Sequence, residues 1–483
     1  MKKIAGLLCI VLIFSTLATG CGKKETGNGK DINLTFSFWD PGTGKAMENT
    51  LKEIISDYEK EHPNVHIKPV VKAVSGYSQW ISTQAAVDNL PDIQSNHASE
   101  LSNQYDQGYV IDLSDDLKKA NPYNDGKIWK DTFKDGVFAN TEYTYAMPYF
   151  GTGLSIFYNK TLYDKLGLKI PKTWNEFTDN CKKIEANGNV PIAFMAQKAD
   201  AVDWLSWELT VGVVGKKLLS DPNINYNGDV LISTQEMVKS IKEGYLNYTT
   251  NTELQDLYKD YLKYFKEYLK YAPNARSYDE SAAKTLFMTG KAAHIETGSW
   301  DIEGMLYNDE MPFEVGTFSF PRFTEENSKY GGLNMTVNAT QTLGLTKSVM
   351  KEKGKKEAAI DFLMYFTSPK VHGKFVEGAK QIPVLKDVEI DPAFEGFVKT
   401  GYNPMYFYKI GTQKGLRFSE IEKKLIEGQD FNPTAEDFKQ IQISAEAWAE
   451  SQVENSKTIN KETDWGMDTL VPDRKYTGEE YAD

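Results

Sequence analysis

Tryptophans that stand beside carboxylates are the residues of this sequence best suited to chemistry. They are Trp39-Asp40, Asp203-Trp204 with Trp207 close behind, and Trp300-Asp301. A flat indole can cover the apolar C–H face of a sugar ring, and a carboxylate can accept hydrogen bonds from two hydroxyl groups. Together they could hold an amphipathic ligand. For each tryptophan taken alone, a place in the protein core or at its rim is as compatible with the sequence as ligand binding, because most Trp side chains are largely buried.

Motifs for catalysis and nucleotide binding are missing from the 483 residues. There is no Gly-x4-Gly-Lys-Ser/Thr, Gly-x-Gly-x-x-Gly, Gly-x-Ser-x-Gly or His-Glu-x-x-His. The five histidines are scattered, which disfavours a histidine-built metal centre. Asp221 to Asn225 begins like a calcium loop, but Tyr226 occupies the glycine position, so a surface turn is the better interpretation. We expect no metal and no cofactor.

The N-terminus predicts export. Two lysines precede an apolar segment, 4–19, and small residues lead to Cys21, as in a secretory signal. Leu17-Ala-Thr-Gly-Cys21 resembles the lipobox of bacterial lipoproteins, whose cysteine is lipidated. We therefore predict a lipoprotein signal peptide over 1–21, lipidation of Cys21, and a flexible polar tether over 22–31. An ordinary cleaved signal is the alternative.

Charge and cysteine content narrow the possible partners. A formal net charge of −13 repels phosphates and anionic lipid head groups, so we expect no nucleic acid partner and a membrane contact only through the N-terminal lipid. Of three cysteines, Cys9 lies in the signal and Cys21 is the lipidation candidate. Cys181 remains, and its place on a predicted helix favours a buried apolar role.

Strand and helix patterns alternate along the chain. Leu34 to Trp39 reads as a strand, the apolar spacing from Leu51 to Tyr58 predicts a helix that ends at His62-Pro63, and 65–74 reads as a second strand. Strands are also predicted over 144–150 and 154–158, and a long helix over 253–271. Capping boxes mark helix starts at 173–176 and 233–236, and Ser368-Pro369 marks another, with Gly378 as its stop. This order favours an α/β fold.

Six stretches occur in an order that resembles one protein family. They are Phe36 to Asp40; Pro91-Asp-Ile93 with Gly108 to Leu113; Tyr145 to Pro148 with Ile156 to Lys160; Pro171 to Phe177; Phe287 to Trp300; and Ala358 to Leu363 with Ser368-Pro369. The chain resembles the family 1 extracellular solute-binding proteins of ABC importers, the maltose-binding-like group, over nearly all of the sequence that follows the signal.

The resemblance implies a two-lobed periplasmic-binding-protein-like fold of type II, with hinge-linked lobes and a ligand cleft between them. Residues 32–148 with about 338–398 would form lobe 1, and 149–337 with about 399–483 would form lobe 2. The implied protein is a monomer on the extracellular face of the cell membrane, on the periplasmic side where an outer membrane exists. It would bind a sugar or oligosaccharide and deliver it to the transmembrane permease subunits, without catalysis.

Family correspondence also implies which residues line the cleft. Trp39 and Asp40 would lie at the cleft end of the first strand, Asn96 and His97 after a later strand, and Thr152 near the first crossing between lobes. Thr152 stands where the maltose-binding group has a glutamate, which argues against maltose. The other expected ligand-binding residues are Tyr149, Trp204, Trp207, Glu296, Trp300, Asp301 and Asn334.

Two alternatives remain open on the sequence. A glycoside hydrolase also lines its cleft with aromatic and acidic residues, but it needs two carboxyls about 5–10 Å apart across the scissile bond. A surface lipoprotein could instead sense or adhere to sugars without serving a permease.

Overall fold

A computed structural model describes residues 31–40, 45–134, 137–138, 144–226, 228, 232–333, 338–398 and 418–460. The predicted signal peptide, Cys21 and nearly all of the tether lie outside these residues, as does Asn334. Within the described part of the chain, no helix combines the length and the apolar character needed to cross a bilayer.

The described strands form one mixed sheet. The strands are β1 (Ile32–Asp40), β2 (Val65–Ala73), β3 (Ile93–Asn96), β4 (Met147–Asn159), β5 (Val190–Ala193), β6 (Ala292–Gly298), β7 (Val315–Phe318) and β8 (Asn338–Leu345). Their order is β2-β1-β3-β8-β4-β6-β5, and β7 also pairs with β4. The predicted opening β-α-β unit is confirmed, since β1 pairs with β2 in parallel.

Helices cover the sheet. They are α1 (Ala46–Glu61), α2 (Tyr77–Ala86), α3 (Ala98–Asp106), α4 (Lys160–Leu166), α5 (Trp174–Ala186), α6 (Ala199–Thr210), α7 (Lys216–Ser220), α8 (Thr234–Lys242), α9 (Thr252–Lys270), α10 (Glu280–Met288), α11 (Ile302–Met305), α12 (Lys355–Phe366), α13 (Pro369–Ala379), α14 (Glu395–Val398), α15 (Phe418–Ile426) and α16 (Ala435–Asn460). A π-helical turn, Val211–Gly215, joins α6 to α7. The α/β class is confirmed.

Strand β4 joins two parts of the sheet. Its first half, Met147 to Gly153, pairs with β8, and its second half, from Leu154, pairs with β6 and β7. The sequence predicted two strands here with Gly151 and Gly153 between them, and the structure has one strand of 13 residues. Both glycines stay in the ladder, and the N–H of Gly151 also donates to the carbonyl of Ile382 at 2.8 Å.

Two large hydrophobic cores lie on either side of this junction. One contains side chains of β1, α1, α12 and α13, and the other contains side chains of α5, α6, α9 and β6. Tyr149 and Phe150 belong to the first core, whereas Ile156 and Phe157 belong to the second. Phe394 and Phe397, near the predicted end of lobe 1, pack in the second core. The exact lobe boundaries stay a prediction.

Helix starts follow the sequence more closely than helix ends. Thr173 and Ser233 both form complete capping boxes, with Glu176 and Glu236 respectively, as predicted. Pro369 begins α13 as predicted, but the helix continues past Gly378.

Gly378 does not end the helix but allows close packing between two helices. A Cβ at this position would lie 2.6 Å from the Thr50 hydroxyl oxygen, so the glycine lets α13 approach α1 closely. The helix ends at Ala379, and its C-cap residue, Lys380, has a φ of 53°, which places it in the left-handed region.

Candidate ligand-binding site

The carboxyl ends of strands from both cores point toward the segment of β4 between Pro148 and Leu154. Strand β3 ends at Asn96, which pairs with Thr342 of β8, and Thr342 in turn pairs with Pro148. Strand β6 runs in the opposite sense to β4 and ends at Gly298, beside Leu154. In open α/β sheets, ligands bind in the crevice outside the carboxyl ends of strands. The topology therefore places a candidate site where the two cores adjoin.

Two indoles form one wall of this site. Trp300 lies in a 3₁₀ turn directly after β6, and Trp204 lies on α6. Their ring centroids are 5.4 Å apart with 54° between the planes, and both side chains are partly exposed. A Cβ on Gly298 would lie 2.1 Å from a Trp300 ring carbon, so only glycine leaves room for the indole in this position. We call Trp204 and Trp300 the indole pair.

A chain of ion pairs holds the turn that carries Trp300. Asp301 accepts from the Lys284 ammonium at 2.8 Å and from the Thr297 hydroxyl at 2.6 Å, one bond to each carboxylate oxygen. Lys284 also contacts Glu280 at 2.8 Å, and Glu280 contacts Lys198 at 2.7 Å. Because both oxygens of Asp301 already accept hydrogen bonds, this carboxylate positions the turn in the structure described.

The same chain of charges reaches the second indole. The ammonium of Lys198 lies 5.0 Å from the ring centroid of Trp204, on the π face. A cation over an indole is attracted by the ring quadrupole. Lys198 therefore links the ionic network to the indole pair and helps to fix the plane of Trp204.

A buried pair of acids lies on α6 and β6, the two elements next to the indole pair. Glu296 of β6 and Glu208 of α6 are 6% and 4% exposed. Burial raises the pKa of Glu208 well above its ordinary value, and the charge of Glu296 raises it further. Burial also raises the pKa of Glu296, to about 7, although interactions with Glu208 and Tyr268 oppose the rise. At neutral pH the pair therefore retains at least one proton.

The first core contributes an aromatic cluster at its edge of the site. Trp39 is 8% exposed and packs edge-on against Tyr77, with ring centroids 4.9 Å apart. The exposed ring of His97 lies 5.3 Å from that of Trp39. Asn96 is 1% exposed, and its side-chain oxygen accepts from the backbone N–H of His97 at 3.0 Å. Its Nδ2 has no hydrogen-bond partner among the described residues.

A small pit marks the contact between the two sides. It has a volume of about 10 Å³ and is lined by Met47 at the start of α1, by Ala379 to Gln381 at the end of α13, and by Ser299, Trp300 and Glu303. Met47 and the residues at the end of α13 lie on the side of the first core, whereas Ser299, Trp300 and Glu303 follow β6. Trp300 is thus a residue of the junction itself.

The remaining predicted residues lie in different surroundings. Tyr149 is buried in the first core, where its hydroxyl is 2.9 Å from that of Ser95, and Thr152 is buried within β4. Trp207 is partly exposed on α6. The backbone of Asp40 ends β1, but its side chain lies outside the described part of the structure. The structure brings Trp204 and Trp300 together, and Trp39 with Asn96 and His97.

Sequence reasoning missed Gly298, Lys198, Lys284 and Glu208 as supports of the site. Helical spacing carries a signal for some of them, because Glu208 follows Trp204 by four residues and Lys284 follows Glu280 by four. Nothing local indicates that Glu208 faces Glu296. Among the described residues no cluster of three metal-binding side chains occurs.

Comparison with known proteins assigns the chain to a family. The model for bacterial extracellular solute-binding proteins matches residues 44–372, more than half of the chain. The Multiple sugar-binding protein of Streptococcus mutans is 28% identical over 395 residues, covering 81% of this chain and 84% of that protein. The galactooligosaccharide-binding protein of Bacillus subtilis is 23% identical over 393 residues, covering 80% of this chain and 81% of that protein.

Solved structures show the same fold. The apo-form of RafE from Streptococcus pneumoniae superimposes with a TM-score of 0.59 at 19% identity, over 88% of this chain and all of that one. The complex of RafE with raffinose gives a TM-score of 0.57 at 20% identity, over 86% of this chain and 100% of that one. The predicted two-lobed type II fold is confirmed by these likenesses. The extent of the family match shows that this chain belongs to the bacterial extracellular solute-binding proteins.

Proposed function

We propose that this protein captures a sugar or oligosaccharide between its two lobes, outside the cell membrane, and delivers it to the permease of an ABC importer. In this proposal the protein is a monomer anchored through a lipid on Cys21, and it breaks no covalent bond of its solute. The ligand lies against Trp204 and Trp300 on one side and near Trp39, Asn96 and His97 on the other. Asp40, Trp207 and Asn334 are proposed as further contacts.

The indole pair at the junction is the observation that carries the proposal. Two partly exposed tryptophans, fixed by Asp301 and Lys198, form an apolar surface beside polar groups. Such a surface complements the C–H face of a sugar. The names of the relatives, which refer to sugars and galactooligosaccharides, support the same ligand class.

Binding of the sugar has to involve both lobes. One stacked ring contributes about 0.5–1.5 kcal/mol beyond its buried area. Micromolar affinity requires about 8 kcal/mol. Hydrogen bonds from the Asn96 side must therefore add to the indole contacts. A solute that touches both lobes favours the closed state by its differential contacts, and the permease can distinguish that state from the open one.

The arrangement of carboxyls favours binding over hydrolysis. A glycoside hydrolase needs an acid on each side of the scissile bond. Here Glu208 and Glu296 are buried and interact with each other, and Asp301 is bonded to Lys284 and Thr297. None of these three carboxyls faces another across an open cleft in the contacts described, and Asp301 positions the turn that carries Trp300.

The test is calorimetric titration of the mature protein with a saccharide panel that includes raffinose, galactooligosaccharides and maltose, beside glycerol 3-phosphate as a non-sugar. We expect at least one saccharide to bind, and Trp300→Ala to weaken it about tenfold or more. Tyr245→Ala is the matched control, because Tyr245 is an exposed aromatic in the connection between α8 and α9, which carries neither indole.

Three outcomes would refute parts of the proposal. Binding of the non-sugar alone would refute the ligand class. Unchanged affinity in Trp300→Ala would remove the indole pair from the site. Release of shorter saccharides at catalytic protein concentrations would make the protein an enzyme.

A further inference from the structure

A polar groove lies between α2 and α3, on the side of the first core. Its volume is about 300 Å³, at the lower end of the range for small-molecule sites. The rim is formed by hydroxyl, amide and carboxylate side chains, and the floor includes Ile81 and Ala85. The lining side chains relevant to the argument are Ser78, Ser82, Asn96, Asn103, Gln107 and Tyr109.

The floor and the rim of the groove differ in polarity. Ile81 is buried in the same small cluster as Trp39, and Ala85 and Tyr109 pack against that cluster. Asn103 on α3 and Gln107, the C-cap residue of that helix, are exposed and lie one helical turn apart. An apolar floor with amide groups above it is the pattern that an amphipathic sugar ring requires.

A buried donor points to a ligand in this groove. Asn96 lines the groove and is 1% exposed, and its Oδ1 accepts the His97 N–H at 3.0 Å, which leaves Nδ2 as a donor. This Nδ2 has no hydrogen-bond acceptor among the described residues. A buried donor without an acceptor is destabilising. A hydroxyl or ring oxygen of a ligand would supply the acceptor.

Asn96 also borders the interlobe site. It is the last residue of β3, whose carboxyl end faces the middle of β4, and its neighbour His97 contacts Trp39. The groove and the interlobe site therefore meet at one residue. A ligand long enough to pass Asn96 could occupy both.

We propose that the α2–α3 groove is a second saccharide subsite that continues the interlobe site through Asn96, so that the protein selects extended oligosaccharides over disaccharides. This inference rests on the proposed function and adds the length of the solute to it. One part of the bound oligosaccharide lies between the lobes against the indole pair. The remaining sugar units lie on Ile81 and Ala85, with their hydroxyl groups facing Asn103 and Gln107.

The test compares a disaccharide, a trisaccharide and a tetrasaccharide of one series by calorimetry. The protein should bind the longer members more tightly, with one site per chain. The double substitution Asn103→Ala with Gln107→Ala should weaken binding of the longest member about tenfold, the effect of losing two hydrogen bonds, and leave the disaccharide unchanged. Gln79→Ala is the control, because Gln79 is exposed on α2 and does not line the groove.

The outcomes separate this inference from the proposed function. If saccharides of all three lengths bind with equal affinity, and their binding still depends on Trp300, the interlobe site stands and the second subsite is refuted. An equal loss for short and long saccharides in the double variant also refutes it, as does a disaccharide that fills two sites per chain. If no saccharide of any length binds the unmodified protein, the proposed function fails and the subsite fails with it.

Discussion

Replacement of Gly298 by alanine should displace the Trp300 indole and weaken sugar binding. The new Cβ would lie 2.1–2.3 Å from three ring carbons of Trp300. Non-bonded carbons rest about 3.5–4.0 Å apart, so the ring edge has to withdraw by more than about 1 Å. The partly exposed indole can swing toward solvent, which preserves the fold but separates Trp300 from Trp204. Loss of one stacking contact, about 0.5–1.5 kcal/mol, raises the Kd roughly two- to tenfold.

The assay is calorimetric titration with the best saccharide of the panel, with thermal unfolding measured in parallel. Gly373→Ala on α13 is the matched control, because its Cβ would meet only Val388, at 3.9 Å. The control should bind as the unmodified protein does. A Gly298→Ala protein with unchanged Kd would refute the reasoning, since the clash would then be relieved without moving the indole from its binding position.

Three further predictions concern stability. Lys284→Met should lower the free energy of unfolding by about 3–5 kcal/mol, because it leaves the carboxylate of Asp301, whose side chain is 4% exposed, without its cation. Urea unfolding measures this change, and a loss under about 1 kcal/mol would contradict the prediction. The pKa of Glu296 is raised to about 7 in the folded state, so the folded protein keeps a proton that the unfolded chain releases near pH 4.5. This contribution to stability is therefore complete below pH 4.5 and disappears as the pH rises through 7. Glu296→Gln should flatten that decline when urea unfolding is measured as a function of pH. Gly378→Ala should cost about 1–3 kcal/mol through its contact with α1, and thermal unfolding should distinguish it from the neutral or stabilising Gly373→Ala.

Local signals in the sequence predicted local structure well. The capping boxes at Thr173 and Ser233 join residues only three positions apart, so their hydrogen bonds depend on the local sequence and not on distant segments. The start of α13 at Pro369 has the same origin. The family resemblance added the two-lobed fold, which alternation of strands and helices alone left unspecified.

Contacts between distant segments were not predictable from these signals. Gly151 and Gly153 looked like a break between strands, yet pairing with β8 carries β4 through them. Gly378 looked like a helix stop, yet its lack of a side chain serves the approach of Thr50. In both cases tertiary packing decided the role of a glycine, and packing partners 185 or more residues away leave no local pattern.

The carboxylates beside the tryptophans show why residue types alone did not settle the site. Asp301 was expected to accept sugar hydroxyls, but Lys284 and Thr297 occupy both of its oxygens, and Glu296 is buried beside Glu208. In the proposed arrangement, ionic groups hold the indole pair in place, and neutral groups such as Asn96 face the ligand. A neutral sugar bound in this way should show an affinity that changes little with salt, because no ion pair forms or breaks between protein and ligand. A steep salt dependence of the Kd would instead assign a charged side chain to direct contact with the solute.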